Sequence, residues 1–196
     1  YQQILADPDM MAFARSVSKG LFGDNCAACH GGGGAGVMGL FPNLADDDWL
    51  WGGSVEDIQA TLTHGHVGYM PGFARTFNDE QLDDVANFVL SLSGHDVPAD
   101  KVARGKQLFT GEGGGCYYCH TEQGTGLKSQ GAANLTDNIW TIADVQGQAE
   151  MAGKIDVVKA VIRNGVNRVM PTWQGRLDET QIKLLTVYVH ELGGGQ

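Results

Sequence analysis

Apolar residues recur at helical spacing in several separated stretches of the chain. Phe13, Val17 and Leu21 lie four apart, and Val55, Ile58 and Leu62 share one face behind Ser54-x-x-Asp57, which resembles a capping box. Leu82, Val85, Val89 and Leu92 form a third stripe, with Asn78 placed to cap it. Val102 with Phe109, then Ile155, Val158 and Ile162, then Ile182, Leu185, Val189 and Leu192 repeat that order, and Gly165 stands where a helix should end. Alternation of period two is nowhere sustained, so strands are not expected.

The stripes belong to an internal repeat. Asn43-Leu44 and Trp49 match Asn134-Leu135 and Trp140 at an offset of 91. From Gly65 to Gly94 the second copy follows at an offset of 100, which pairs Met70-Pro71 with Met170-Pro171, Phe73 with Trp173, Phe88 with Tyr188 and Gly94 with Gly194. The growth of the offset predicts an insertion near 143–153. The repeat predicts a first domain over 1–94 with its core from about 11, a linker over 95–100 around Pro98, and a second domain over 101–196.

Net charge is −10 over 196 residues, which argues against a nucleic-acid partner and suits a basic protein partner whose association salt would weaken. No run of about 20 apolar residues is present to span a bilayer. The chain opens at Tyr1 without a signal-peptide pattern, so it reads as a processed or truncated product, with any membrane anchor preceding residue 1. Aromatic residues are only 8%, so a large apolar cofactor would help to complete each small core.

The four cysteines supply the candidate chemistry. They fall as Cys26-Ala27-Ala28-Cys29-His30 and Cys116-Tyr117-Tyr118-Cys119-His120. Each is C-x-x-C-H, in which two thiols form thioethers to haem vinyl groups and the adjacent histidine reaches the iron. A four-cysteine zinc site would leave both histidines unexplained, and two disulfides would not require them. The sequence therefore predicts two covalently bound haem c groups, attached outside the cytoplasm. The expected fold class is all-α: two tandem class I cytochrome c-like domains, each wrapped around one haem.

A second axial ligand must come from elsewhere. The repeat nominates Met70 and Met170, each stiffened by a following proline. Met10, Met11, Met38 and Met151 have no counterpart in the other copy. His64 and His66 are rivals to Met70, but the second copy has no histidine there. Both are expected in exposed loop, with His95 and His190 solvated. His/Met coordination raises the potential relative to bis-His and closes the sixth position, which favours electron transfer over chemistry on oxygen or peroxide. Around the irons, backbone carbonyls near Pro42 and Asn43 could accept from His30, and those near Asn134 from His120. Trp49, Trp51 and Trp140 could donate to haem propionates. Gly31–Gly34 and Gly113–Gly115 would let the backbone pass close to the haems.

The segment from Cys26 to His30, with Phe41-Pro42-Asn43-Leu44-Ala45-Asp46-Asp47-Asp48-Trp49-Leu50-Trp51-Gly52-Gly53 and Met70-Pro71, resembles the first haem domain of the dihaem subunit III of cbb3-type cytochrome c oxidases. Ala133-Asn134-Leu135-Thr136-Asp137-Asn138-Ile139-Trp140 with Met170-Pro171 resembles its second domain. The resemblance implies Cys26, Cys29, His30 and Met70 at one haem, and Cys116, Cys119, His120 and Met170 at the other. It implies a place on the periplasmic side of a bacterial inner membrane, held by an N-terminal helix that this chain lacks. It also implies electron relay from a soluble cytochrome c, through a monohaem subunit, to a haem–copper subunit that reduces oxygen, with no catalysis by this subunit itself. Ala133 departs from the proline common in the family. The alternatives are a free periplasmic dihaem carrier and, from another class, a dihaem peroxidase-like enzyme or a gas sensor, both of which need an open iron position.

Overall fold

A computed structural model describes residues 1–111 and 113–193; Gly194, the counterpart of Gly94, lies outside them. In chain order the described elements are α1 (Gln2–Ala6), α2 (Pro8–Asn25), α3 (Ala27–His30), α4 (Val55–His64), β1 (His66–Met70), α5 (Asp79–Leu92), α6 (Ala99–Thr110), α7 (Tyr117–His120), a 3-10 turn (Lys128–Gln130), α8 (Met151–Asn164), β2 (Val166–Met170) and α9 (Glu179–Leu192).

Local chemistry sets the helix boundaries. Asp7 accepts from the Asp9 and Met10 amides ahead of α2, with Pro8 in the first turn. Ser54 accepts from the Asp57 amide at the start of α4. Asn78 with Gln81, and Asp178 with Gln181, form full capping boxes on α5 and α9. Gly65 and Gly165 end α4 and α8 at φ +68° and +71°, a backbone region that side chains with a Cβ rarely adopt.

The helices follow the apolar stripes, with two corrections. In α2 the buried residues are Met11, Ala14, Ser18 and Phe22, whereas Phe13 is 64% exposed. The stripe through Phe13 and Val17 is thus not the core face. Two strands also break the all-α expectation: β1 and β2 pair in a two-stranded sheet. Their inward residues include His66, Gly68 and Arg168, while Val67, Tyr69 and Val169 face out. Met70, Val166 and Met170 share the inward side, so both faces mix apolar and polar residues, which hides the strands from a periodicity reading.

The chain divides into two compact units, and they do not follow the repeat. Unit 1 holds residues 1–67 together with those from 169 onward, and unit 2 holds residues 68–168. The expected boundary at 94–101 falls inside unit 2, where α5 and α6 pack on each other. Ser93 and His95 there turn the chain between two neighbouring helices: the Ser93 hydroxyl and the His95 amide both donate to the Leu90 carbonyl.

In unit 1, α9 packs on α2 and α4. Its core joins Phe22, Cys26, Ile58 and Leu62 to Trp173, Ile182, Leu185 and Val189, and Phe22 meets Tyr188 at 5.5 Å between ring centroids. In unit 2, α5 packs on α6 and α8. Its core joins Phe73, Leu82, Val85 and Phe88 to Phe109, Val158 and Ile162, and Phe88 meets Phe109 edge-on at 5.1 Å. Each unit therefore combines the opening helices of one repeat copy with the closing helix of the other. The region of the expected insertion lies in unit 2, where Ala143 and Val145 are buried before α8.

Candidate haem sites

In unit 1, Cys26 closes α2 and the one-turn helix α3 carries Cys29 and His30. The His30 amide donates to the Cys26 carbonyl, which holds the motif in a single turn. The His30 ring is buried, and its Nδ1 donates to the Pro42 carbonyl at 3.1 Å. That bond fixes the tautomer and leaves the Nε2 lone pair to a metal. Burial, only partly offset by that hydrogen bond, lowers the His30 pKa and favours the neutral ring a ligand requires.

Unit 2 repeats the arrangement. The His120 amide donates to the Cys116 carbonyl, and His120 Nδ1 donates to the Ala133 carbonyl at 2.9 Å. Ala133 supplies the same atom that Pro42 supplies, because the acceptor is backbone. Burial lowers the His120 pKa as well. A glycine in each unit permits the approach of the acceptor strand. A Cβ on Gly36 (φ +68°) would fall 2.6 Å from the Pro42 carbonyl oxygen, and one on Gly126 (φ +74°) 2.8 Å from that of Ala133.

None of the four cysteines forms a disulfide. Burial, and secondarily the neighbouring Cys29 or Cys119, pushes Cys26 and Cys116 each up to about 11, so both are protonated at neutral pH.

The methionines are exchanged relative to the expected pairing. Met170 lies in unit 1 and packs on the cluster that contains Cys26, Phe22 and Trp173. Met70 lies in unit 2 and packs on the cluster beside Cys116, Tyr117 and Phe109. Backbone bonds anchor both loops: the Trp173 amide donates to the Leu62 carbonyl at 2.9 Å, and the Phe73 amide to the Ile162 carbonyl at 3.0 Å. The crossing follows from the exchange of closing helices, since each Met-Pro loop precedes the helix it travels with.

The histidines differ from expectation too. His64 is exposed, but His66 stacks on Trp51 with ring centroids 4.0 Å apart, and its Nε2 shares a hydrogen with the Thr61 hydroxyl. That ring is already committed to protein partners. His95 bonds Ser93 and sits edge-on to Trp140, and His190 is half-buried; neither is fully solvated. Asn43 and Asn134 spend their side-chain oxygens on local turns, accepting from the amides of Ala45 and Thr136.

Several buried donors have no protein partner: Trp49 Nε1 and Trp173 Nε1 in unit 1, and Arg168 Nη1 in unit 2. Unmet buried donors are costly, so these mark places where a polar group of a bound ligand fits. With them in each unit stand two free thiols, a neutral imidazole and a thioether. Among the described residues no three His, Cys, Asp or Glu side chains converge to hold a bare metal ion. This donor set suits a covalently bound haem with carboxylate arms. Sequence reasoning used Trp173 only as the aromatic match of Phe73 and passed over Arg168, which stands opposite Gly68 and breaks the repeat.

Known proteins resemble this chain in sequence. The family described as cytochrome c oxidase, cbb3-type, subunit III matches residues 16–89 and 100–189. The cbb3-type cytochrome c oxidase subunit FixP of Azorhizobium caulinodans is 43% identical over 206 residues, covering 100% of this chain and 65% of that protein. FixP of Bradyrhizobium sp. is 45% identical over 203 residues, covering 97% of this chain and 65% of its own length. Subunit CcoP of Cereibacter sphaeroides is 39% identical over 204 residues, covering 98% and 66%. The chain thus spans about 65% of the length of these relatives, and no helix among the described residues is long and apolar enough to cross a membrane. With the family's pattern running through both halves, the chain belongs to the cbb3-type cytochrome c oxidase subunit III family.

Proposed function

We propose that the chain is the dihaem electron-relay portion of a cbb3-type oxidase. In this reading Cys26, Cys29, His30 and Met170 hold one haem c, and Cys116, Cys119, His120 and Met70 hold the other. The observation that carries it is the meeting, in each unit, of one C-x-x-C-H with the Met-Pro loop of the other repeat copy. The haems supply one-electron redox chemistry. The protein residues would supply attachment through the thiols, a neutral imidazole oriented by a backbone carbonyl, and a thioether as a second protein ligand to the iron. Closed coordination makes the chain a conductor, with oxygen reduction left to a haem–copper subunit. The partners are then the membrane subunits of the oxidase and a basic soluble cytochrome c donor, met on the periplasmic side of the inner membrane. Charge supports a basic donor docking on unit 1, which carries eleven Asp and Glu against four Lys and Arg, whereas unit 2 carries twelve against nine.

The test uses the Cys116→Ala/Cys119→Ala protein, which retains only the first attachment motif. Mass spectrometry should find one covalent haem there and two in the parent. Met170→His in that background should lower the single potential, and Met170→Ala should admit carbon monoxide. Met70→His should change neither. If Met70→His moves the potential and Met170→His does not, each methionine serves its own repeat copy and the exchanged assignment is wrong.

A further inference from the structure

We infer that Arg168 anchors a propionate of the haem attached to Cys116 and Cys119, and that its positive charge makes this haem the one on which the relayed electron rests. The inference depends on the dihaem reading above.

Arg168 sits on the inward side of β2 and is half-buried. Its Nη2 donates to the Thr141 carbonyl at 3.5 Å, while Nη1 is buried and unpartnered. Among the described residues no carboxylate forms an ion pair with it, although Arg15, Arg104 and Arg163 each have one. A guanidinium keeps its proton in a protein, so the fold here holds a permanent charge with an unused donor. Such a group calls for a planar anion, and a carboxylate matches its fork best. The guanidinium reaches the carbonyl of Thr141, the residue that follows Trp140, and Trp140 packs on the same cluster as Met70, Cys116 and Tyr117. A haem in that cluster presents two anionic groups, its propionates. Arg168 offers them a guanidinium with an unused, buried Nη1 donor.

The other repeat copy lacks this device. Position 68, the counterpart of Arg168, is glycine. Around the unit 1 site His66 is stacked on Trp51, and the unpartnered donors are the neutral indoles of Trp49 and Trp173. Arg176 lies over the Trp173 ring at 4.1 Å in unit 1 but is exposed, so the two sites differ by one half-buried positive charge, that of Arg168. Relay between them moves one electron: ferrous iron in unit 1 becomes ferric as ferric iron in unit 2 becomes ferrous, with no bond made or broken and no proton moved. A fixed cation favours the ferrous state, which carries one positive charge less. The electron thus moves from the unit 1 haem to the unit 2 haem.

The test is a potentiometric titration of the dihaem protein with Arg168→Gln and Arg168→Lys. The Gln variant should lower one of the two potentials, shifting the equilibrium between the haems about tenfold toward a reduced unit 1 haem, or about 59 mV for a one-electron couple. The Lys variant should hold it near the parent value. In the Cys116→Ala/Cys119→Ala background Arg168→Gln should shift nothing. Where that background does not accumulate, Met70→His marks the unit 2 haem, and the same component should fall further. Unchanged potentials in Arg168→Gln, an equal fall in Arg168→Lys, or a shift that belongs to the unit 1 haem each overturn the inference. A parent protein with fewer than two covalent haems would overturn the dihaem reading itself.

Discussion

Replacing Gly105 by alanine should destabilise unit 2, although the same change in an exposed helix stabilises by about 1 kcal/mol. Gly105 lies on α6 where it crosses α5. A Cβ there would fall 2.6 Å from the Asp84 carbonyl carbon, nearer still to its oxygen, and 2.8 Å from Phe88 Cβ. Real Cβ atoms essentially never come within 3.0 Å of such neighbours, so the helices must part by on the order of 1 Å, enough to forfeit a quarter to a half of the dispersion well at each contact. The seam includes Leu82, Val85, Phe88 and Phe109, all nearly inaccessible to solvent, and full burial of such a side chain stabilises by about 1.5–3 kcal/mol. Losing a third of that over four residues costs about 2–4 kcal/mol. After the gain in helix propensity the net loss is about 1–3 kcal/mol. For a unit of this size each kcal/mol lowers Tm by roughly 4–8 °C. Circular dichroism melts of the holoprotein should therefore show a fall of roughly 5–20 °C in the transition of unit 2, with Arg104–Asp84, the ion pair beside the crossing, weakened in parallel. A Gly105→Ala protein as stable as the parent would show that the helices do not cross this closely.

Two further outcomes follow from contacts of α9 in unit 1. Asp178→Ala removes the capping box of α9 and should cost about 1 kcal/mol in urea denaturation of the holoprotein; an unchanged midpoint would remove the cap from the account. The hydrogen bond from Arg15 holds the Glu191 carboxyl below its ordinary value, so its small contribution is complete above the unfolded carboxylate pKa of about 4.3 and disappears as pH falls through the lower folded value. Glu191→Gln should accordingly be slightly less stable than the parent at pH 7 and equal to it near pH 2, with a difference that persists at pH 2 counting against the ion pair.

The attachment motifs, the repeat and most helix stripes were legible because each is a spacing of unambiguous residue types. Exchange of the closing helices was not. Leu82, Val85 and Val89 present the same face as Ile182, Leu185 and Val189, and Phe88 or Tyr188 could each seat an aromatic ring beside Phe22 or Phe109. Two interchangeable stripes carry no record of which neighbour they choose. The face of α2 was misread because small residues, Ala14 and Ser18, line the contact, and a count of large apolar residues passes over them. Arg168 was missed because a lone arginine on a short segment is ordinarily solvated; only its orphaned Nη1 distinguishes it.

The way the units partition the chain also bears on its history and its synthesis. Unit 2 is one uninterrupted segment, residues 68–168, in which the closing helix α5 comes before the opening helix α6. It is a circular permutant of the helix–motif–helix order that each repeat copy displays, inserted into a host that it splits in two. During synthesis the inserted unit is complete as soon as Arg168 has emerged. The host, whose cysteines emerge first, stays open until α9 follows. Under the proposed assignment, a chain stopped short of Val169 would keep every residue of the second site while its first motif lacks both Met170 and its closing helix. The compact units therefore part the chain at points other than the boundary of its internal repeat.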